Sequence, residues 1–384
     1  MLLNIYNRFP VTFVTGKENK LYDDQGNVYL DFASGIGVNA IGHAHPDWIG
    51  AVTKQVNQLA HVSNLYHTKP AVKLAAKLVE ISGLAGVFFA NSGAESNEGM
   101  IKMARKYSQD KYGVGRHTII TLEQSFHGRT ITTLAATGQD KLHQYFDPFT
   151  DGFEHVPAND IDAIKAKVQD KNICAILLEP IQGEGGVLPL DKAYVQAVAS
   201  LCEENDWLLL FDEVQTGIGR TGSWFGFQNF DVQPDAISFA KGIGGGLPLG
   251  GFIVNDKCKD VLGLGDHGTT FGGNPIACAG ALATLEVVEA LLVEVNKKGQ
   301  LIADELMKIK GLSNVRHVGL MIGATVDGQL GLVRDVVQAL LDHGLVTLSA
   351  GTDVLRLLPP LTVTTAEIEE GLNVIKEVCK GRLK

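Results

Sequence analysis

Cysteine is scarce in this sequence, and charged residues are fewer than in an average protein. Only five cysteines occur among 384 residues, and no two of them form a C-x-x-C pair. An odd number of scattered cysteines argues against a disulfide framework. We therefore expect reduced, mostly buried thiols and a cytoplasmic location. The cysteines lie at positions 174, 202, 258, 278 and 379.

Basic residues are also few, and long apolar runs are absent from the sequence. Lysine and arginine number 33 against 43 acidic residues, which gives a net charge of −10. This balance disfavours nucleic-acid binding, which needs basic surface. No uncharged apolar stretch approaches about 18 residues, so we expect no membrane span. The first residues lack a basic region followed by an apolar run, so we expect no signal peptide.

Glycine, in contrast, is abundant, and short apolar runs alternate with helical stretches. The 44 glycines exceed the usual share of about 7%. Strands that are apolar at nearly every position are typical of a parallel sheet covered on both faces. The predicted strands are residues 86–90, 117–122, 173–179, 207–213, 236–241 and 251–254. Residues 20–32 predict a hairpin, and helices are predicted from residue 46, over 94–108 and 191–205, and after Pro275.

The C-terminal part has a different pattern, in which strands 314–318, 320–326 and 354–358 are interspersed with helices. This pattern predicts a smaller α+β domain, which the N-terminal hairpin would join. The expected division is residues 1–45 for an N-terminal segment of the small domain, 46–285 for a large α/β domain, and 286–384 for the rest of the small domain.

Two residues at predicted strand ends suggest one chemistry when they are taken together. Lys241 closes the run AISFA before a glycine-rich loop, and Asp212 closes the run WLLLF. Alone, each is more often an ordinary loop or capping residue. Together they meet the needs of pyridoxal phosphate, a lysine for a Schiff base and a carboxylate for the pyridine nitrogen.

Further strand ends carry candidates for binding anions and rings. Ser92, Gly93 and Ala94 lie between a strand and a helix, where free N–H groups and the helix dipole attract phosphate. Phe126 follows another strand and could cover one face of a ring, although most phenylalanines are core residues. Arg129 is a candidate carboxylate ligand, because a guanidinium binds carboxylates bidentately.

Two further motif matches are discounted. Residues 217–222 fit G-x-G-x-x-G, but no helix is predicted after them, so a dinucleotide site is not favoured there. His43, His45 and Asp47 lie in a glycine-rich turn with no further ligand cluster, so we expect no metal site.

Eight sequence blocks in this order resemble the class III pyridoxal-phosphate-dependent aminotransferases. The resemblance covers the chain from about residue 20 to its end. The blocks are LYDDQGNVYLDFASGIGVNAIGHAHP (21–46), FANSGAESNE (89–98), SFHGRT (125–130), LLEPIQGEGGV (177–187), LLLFDEVQTGIGRTG (208–222), SFAKGIGGGLPLG (238–250), GTTFGGNPIACA (268–279) and VLRLLPPL (354–361).

The resemblance implies the fold type I of pyridoxal-phosphate-dependent transferases, a homodimer and a set of cofactor-binding residues. Lys241 would form the Schiff base and carry the proton. Asp212 would face the pyridine nitrogen, and Phe126 and Val214 would lie on the two ring faces. The remaining implied cofactor-binding residues are Ser92, Gly93, Ala94, Glu213 and Gln215, and Thr270, which would reach the phosphate held by the neighbouring subunit.

The resemblance also implies substrate-binding residues and a reaction. The match favours N2-acetyl-L-ornithine as amino donor and 2-oxoglutarate as acceptor, in a ping-pong transamination of arginine biosynthesis. Arg129 would bind the donor's α-carboxylate, with Thr269 close by. Arg356 would bind a carboxylate of 2-oxoglutarate or glutamate, and Glu184 would neutralise Arg356 when the other substrate is bound.

Two departures and several alternatives remain open. Ala94 replaces the usual threonine, which would remove a hydrogen bond of about 0.5–1.5 kcal/mol, and Leu357 replaces a frequent aromatic residue. Within the family, the donor could instead be succinyldiaminopimelate, ornithine or 4-aminobutyrate, or the chain could be a glutamate-1-semialdehyde aminomutase. Outside the family, the alternatives are a nicotinamide-dependent oxidoreductase and a non-catalytic binding protein.

Overall fold

Short apolar strands form the centre of the fold, and five of them are buried along their whole length. The computed structural model describes residues 1–383. The strands are β1 (Phe13–Lys17), β2 (Lys20–Asp23), β3 (Val28–Asp31), β4 (Gly86–Ala90), β5 (Thr118–Leu122), β6 (Phe153–Val156), β7 (Ile173–Leu178), β8 (Ile181–Gln182), β9 (Leu188–Pro189), β10 (Leu208–Asp212), β11 (Ala236–Phe239), β12 (Gly250–Val254), β13 (Leu312–Val318), β14 (Met321–Val326), β15 (Leu345–Val346), β16 (Leu348–Ala350) and β17 (Val354–Leu357).

Helices alternate with these strands in the first three quarters of the chain. They are α1 (Ser34–Gly37), α2 (Pro46–Val56), α3 (Lys69–Ser82), α4 (Gly93–Tyr112), α5 (Ile131–Ala136), α6 (Ile161–Lys165), α7 (Lys192–Asn205), α8 (Pro275–Leu306), α9 (Val333–Asp342) and α10 (Thr365–Arg382). Short 3-10 turns add to them, among them Gly226–Asn229 and Lys241–Gly244.

The largest sheet has seven strands in the order β4-β12-β11-β10-β7-β5-β6. The pairs from β11 to β6 are parallel, whereas β12 runs antiparallel to both of its neighbours. Alternate residues of β10 enter different cores: Leu208 and Leu210 pack with Met100 of α4, and Leu209 and Phe211 lie in the main core. The prediction of an α/β fold with a mainly parallel central sheet is therefore confirmed.

Two four-stranded sheets lie outside this core. The predicted hairpin is present as β2 and β3, and β15 pairs parallel to β3, in the order β1-β2-β3-β15. The other sheet, β13-β14-β17-β16, is antiparallel throughout. The predicted domain boundaries stay predictions: the division at 285/286 falls inside α8, and residue 384 lies outside the described residues.

One helix, α8, is long and apolar enough to cross a membrane by length and composition alone. Glu286 and Glu289 interrupt its apolar sequence, and it packs against α2, α3 and β13. A core helix passes the same test, so α8 is weak evidence for a membrane span.

The parallel strands bring the candidate residues to one edge. Because parallel strands end at the same side of a sheet, the segments after β5, β7, β10 and β11 are neighbours there. β4 has the same direction as these strands, since it and β11 are both antiparallel to β12. The ligand site of this sheet is therefore expected where the five strands end.

Candidate active site

A cavity of about 420 Å³ lies at this edge of the seven-stranded sheet. It contains most of the residues that the sequence singled out, although they are up to 149 positions apart. The predicted residues in its lining are Ser92, Gly93, Ala94, Phe126, Arg129, Asp212, Val214, Gln215 and Lys241. The structure therefore brings Lys241 and Asp212 together in one cavity.

Asp212 is the last residue of β10, and its carboxylate accepts hydrogen bonds on both oxygens. Oδ2 accepts from Asn97 Nδ2 at 2.7 Å and lies 2.8 Å from His127 Nδ1. Oδ1 accepts from the Val214 N–H at 3.1 Å and the Ser238 hydroxyl at 3.3 Å. A buried carboxylate with these partners is fixed in orientation, so it can face a cationic group in the cavity without rearranging.

Lys241 follows β11 in a strained backbone conformation. Its φ is 46°, a left-handed value that is uncommon for residues other than glycine. Burial lowers the pKa of its ammonium group, and the negative charge of Glu184 opposes this shift. A buried lysine with a lowered pKa is a better nucleophile, because more of it is present as the neutral amine.

The N-terminus of α4 faces the cavity and suits a phosphate. Ser92 caps the helix, and its hydroxyl accepts from the Glu95 N–H at 3.2 Å. A Cβ at Gly93 would lie 2.8 Å from a methyl group of Val214, so only glycine fits against this cavity-lining side chain. The N–H groups of Gly93 and Ala94 lie in the first turn of α4, where they have no partner within the helix and can bind an anion.

Arg356 and Glu184 do not line the cavity directly, but they reach it through Gln215. Arg356 donates from Nη1 to Glu184 Oε1 at 2.6 Å and from Nη2 to Oε2 at 3.3 Å, and Nη1 also donates to Gln215 Oε1 at 3.1 Å. The Arg356 side chain is 2% exposed. Burial opposes ionisation of Glu184, but the charge and hydrogen bonds of Arg356 keep the pKa of Glu184 below its usual value.

Three further predicted residues lie outside the cavity lining. Glu213 lies in the core behind the cavity, where it accepts from the N–H groups of Gly226 and Phe227. Thr269 contacts the rim, because its hydroxyl accepts from Asn91 Nδ2 at 3.2 Å. Thr270 is exposed on the surface of this single chain. The roles assigned to these three residues stay predictions.

Sequence reasoning assigned no role to four polar residues in the lining: Asn91, Asn97, His127 and Glu179. Asn97 and His127 are the partners of Asp212, and Glu179 Oε2 accepts from the Phe126 N–H at 3.0 Å. Burial raises the pKa of Glu179 well above its usual value, and the charge of Asp212 adds to this effect. Asn91, His127 and Glu179 lie in the segments that follow β4, β5 and β7, which was the available signal in the sequence, whereas Asn97 lies inside α4.

The discounted motifs do not contribute to the cavity lining. Arg220, inside the 217–222 loop, is buried and donates to the carbonyls of Leu320 and Pro359. His43, in the loop between α1 and α2, lies 2.8 Å from Asp31 at the end of β3, which is a hydrogen bond. Within residues 1–383, no three potential metal ligands form a cluster.

The lining residues fit pyridoxal 5′-phosphate on three independent observations. Lys241 supplies an amine in the cavity, Asp212 supplies a fixed carboxylate, and Gly93 opens the helix N-terminus to an anion. Phe126 and Val214 add apolar surface for a flat ring. This set of groups can bind an aldehyde, a ring nitrogen and a phosphate at once.

Comparison with known proteins agrees with this interpretation. A family model described as Aminotransferase class-III matches residues 4–379. The acetylornithine aminotransferase of Haemophilus ducreyi is 52% identical over 374 residues, which cover 97% of this chain and 95% of that protein.

Solved structures of aminotransferases have the same fold. One is the ornithine aminotransferase of Toxoplasma gondii, described with partial occupancy of PLP at its active site. It superposes with a TM-score of 0.94 at 31% identity, covering 99% of this chain and 94% of that one. The N-acetylornithine aminotransferase of Stenotrophomonas maltophilia K279a gives a TM-score of 0.86 at 34% identity, covering 98% and 97%.

Proposed function

Because the chain belongs to the class III aminotransferases, we propose that it transfers the δ-amino group of N2-acetyl-L-ornithine to 2-oxoglutarate. The products are N-acetyl-L-glutamate 5-semialdehyde and L-glutamate. The observation that carries this proposal is the placement of Lys241, Asp212 and Arg129 around one cavity, with the Arg356–Glu184 pair next to it. The near-full-length identity to acetylornithine aminotransferases supports the choice of donor.

The cofactor is pyridoxal 5′-phosphate, as family membership implies. When bound, it supplies an aldehyde that bonds an amine and a ring that draws electrons from the neighbouring carbon. Gly93 and Ala94 would hold its phosphate with their N–H groups, and Asp212 would keep its pyridine nitrogen protonated. Phe126 and Val214 would hold the ring by contact with its faces, and Gln215 would lie near its hydroxyl.

Lys241 would move the proton. The Lys241 amine must be neutral to accept a proton, and burial favours the neutral form by lowering its pKa. Nζ can then accept a proton from the carbon that bears the donor nitrogen and return it later in the cycle. The left-handed backbone of Lys241 fixes where the side chain leaves the main chain, and so limits the positions that Nζ can reach.

Two arginines would let the site accept both anionic substrates. Arg129 lines the cavity and is exposed, so it can bind the α-carboxylate of the donor as the donor enters, with Thr269 at the rim. Arg356 is neutralised by Glu184, and Gln215 bonds to both. Movement of Glu184 away from Arg356 would expose a cation for a carboxylate of 2-oxoglutarate, and its return would suit a donor that is uncharged at that end.

A second copy of the chain would complete the site. Thr270 is exposed and does not line the cavity of its own chain, as expected of a residue that contacts the partner's phosphate. The exposed side chains of Leu65, Tyr66 and Phe271 support an interface on this side, because large exposed apolar patches mark binding surfaces. We therefore expect a homodimer in the cytoplasm with no membrane or nucleic-acid partner, and a monomer in sedimentation analysis would contradict this.

Other amino donors of the family are the main alternative. Succinyldiaminopimelate also presents an acylated α-amine beside a carboxylate, so Arg129 would bind it equally well. Ornithine and 4-aminobutyrate differ, since ornithine carries a free α-amine and 4-aminobutyrate has no α-amine. Single-turnover reactions of the cofactor-loaded enzyme with each donor would rank them.

Absorbance spectroscopy tests cofactor, donor and acceptor together. The purified enzyme should show the near-visible band of lysine-bound cofactor, N2-acetylornithine should bleach it, and 2-oxoglutarate should restore it. Lys241→Ala should lose the band and turnover. Lys298→Ala is the matched control, because Lys298 is half buried with a lowered pKa but donates to the Leu361 carbonyl. A normal band in Lys241→Ala, or no bleaching by N2-acetylornithine, would contradict the proposal.

A further inference from the structure

Four consecutive residues of α1 have left-handed backbone conformations. Their φ values are 50° for Ser34, 61° for Gly35, 66° for Ile36 and 78° for Gly37. L-residues enter this region singly, and each one other than glycine weakens folding roughly 5- to 30-fold. A β-branched residue such as Ile36 is rarer there still. Such a run persists only where the surrounding structure imposes it, and outliers of this kind cluster at functional sites.

Asp31 holds this left-handed turn from the side of β3. Its Oδ1 accepts from the N–H groups of Ala33 and Ser34, each at 2.8 Å, and its Oδ2 lies 2.8 Å from His43 Nε2. The Asp31 side chain is 1% exposed. The C-terminal segment holds the turn from the other side, because the Ser34 hydroxyl donates to the Leu358 carbonyl at 2.6 Å.

The turn lies against the cavity and against the segment that carries Lys241. Val38, which follows the turn, lines the cavity, and its N–H donates to the Ser34 carbonyl at 2.7 Å. A Cβ at Gly242 would lie 3.5 Å from the Gly37 carbonyl oxygen, so the turn touches the residue after Lys241. Two left-handed segments, 34–37 and Lys241 itself, therefore meet at Gly242.

We propose that the turn 34–37 is a positioning element of the active site, with Asp31 and His43 as positioning residues. Held by them, the turn supports the Lys241–Gly244 segment and fixes Val38 in the cavity wall. The inference rests on the proposed function only in that it takes pyridoxal 5′-phosphate as the ligand of the cavity.

A second aspartate in the same sheet provides the structural contrast. Asp23 accepts hydrogen bonds from Asn27 and Tyr29 and holds the turn between β2 and β3. In that turn only Gly26 has a positive φ, of 86°, and the cavity lining includes none of its residues. An aspartate of this sheet can therefore stabilise a turn in which consecutive residues do not all have left-handed conformations.

Two glycine substitutions separate positioning from stability. Gly37→Ala and Gly26→Ala each force alanine into a left-handed position, and both sites have room for a Cβ, with the nearest atom 3.8 Å away at Gly37 and none within 4 Å at Gly26. Urea unfolding of the two full-length apoproteins should show a similar rise of the unfolding constant, roughly 5- to 30-fold. Titration with pyridoxal 5′-phosphate, followed by absorbance, should show at least a tenfold higher dissociation constant for Gly37→Ala alone.

A second pair of variants tests the same inference if the glycine variants do not fold. Asp31→Asn and Asp23→Asn keep the shape of each side chain and remove its charge. We expect only Asp31→Asn to weaken cofactor binding under conditions in which both variants are fully folded. If the wild type binds the cofactor and the two variants of either pair have equal cofactor affinities, the turn 34–37 is not a positioning element. The proposed function would not be affected by that result. A wild-type chain that does not bind the cofactor would overturn both this inference and the proposed function.

Discussion

Glu213 provides a quantitative test of how the core behind the active site is built. Its Oε1 accepts from the Phe227 N–H at 2.6 Å, and its Oε2 accepts from the Gly226 N–H at 2.8 Å and from the Thr216 hydroxyl. The side chain is 1% exposed. Burial raises the pKa of Glu213 to about 7 although these hydrogen bonds act in the opposite direction.

The raised pKa fixes the sign of the pH dependence. In the folded protein, the Glu213 carboxyl group keeps its proton at pH values where the same group in the unfolded chain, with a pKa of 4.5, has already released it. The stability linked to Glu213 is therefore fully present below pH 4.5 and is lost as the pH rises through about 7. A difference of about 2.5 pKa units corresponds to about 3 kcal/mol.

Glu213→Gln should change the shape of the stability curve. Glutamine cannot ionise, but its amide group would face an N–H of the Gly226–Asn229 turn, which costs about 1–3 kcal/mol. The variant should therefore be less stable than the wild type at pH 5 and should equal or exceed it at pH 8.

Urea unfolding of the apoprotein between pH 5 and pH 9 measures this effect. Glu203→Gln, on the exposed side of α7, is the control and should follow the wild-type curve. If the wild type and Glu213→Gln lose stability in parallel between pH 5 and pH 8, the account of Glu213 is wrong.

Three further substitutions test the site and the core. Arg356→Ala should raise the KM for 2-oxoglutarate about 10- to 150-fold, as expected for hydrogen bonds to a charged group of about 1.5–3 kcal/mol; steady-state kinetics showing an equal change in the KM for the donor would contradict this. Glu179→Gln keeps an acceptor for the Phe126 N–H, and burial already favours the neutral acid, so cofactor affinity at pH 7 should stay within about twofold; a tenfold loss in the absorbance titration would show that a charged carboxylate is required. At Asp206, burial is outweighed by hydrogen bonds from Lys111 and Tyr112 that lower its pKa, so its stability contribution is present above pH 3.8 and is lost as the pH falls. Asp206→Asn should therefore lose less stability than the wild type as the pH falls, which acid unfolding followed by circular dichroism measures. An unchanged loss of stability would contradict this role of Asp206.

The central sheet could be predicted from sequence because its signal is local. Runs such as ICAILL are apolar at every position, and the structure buries each of their residues in β7. The edge strand β6 was missed, since its sequence FEHV has two adjacent polar residues and is neither apolar throughout nor alternating, and only Val156 is buried. The class III family prediction, made from eight blocks, is confirmed by the match over residues 4–379.

The site was predicted less completely, for reasons of geometry. Asp212, Val214 and Gln215 line the cavity, whereas the Glu213 side chain points to the core, and the order of these residues in the sequence does not mark Glu213 as the exception. His127 and Asn97 hold Asp212 from 85 and 115 positions away, and no spacing in the sequence reveals such contacts. Family resemblance suggested the pairing of Arg356 with Glu184, which the structure contains as two hydrogen bonds across 172 positions.

The pairing of β3 with β15 constrains the order of events during synthesis on the ribosome. β3 lies near the start of the chain, yet Leu30 and Asp31 align with Leu345 and Val346, and the Ser34 hydroxyl needs the carbonyl of Leu358. Because translation proceeds from the N-terminus, β3 has β2 as a neighbour but lacks β15 on its other side until more than 300 further residues have emerged. A nascent chain truncated before residue 345 could form the seven-stranded sheet, but it would leave α1 without its restraint. The pocket for the vitamin should therefore mature last, after the polypeptide has left the exit tunnel.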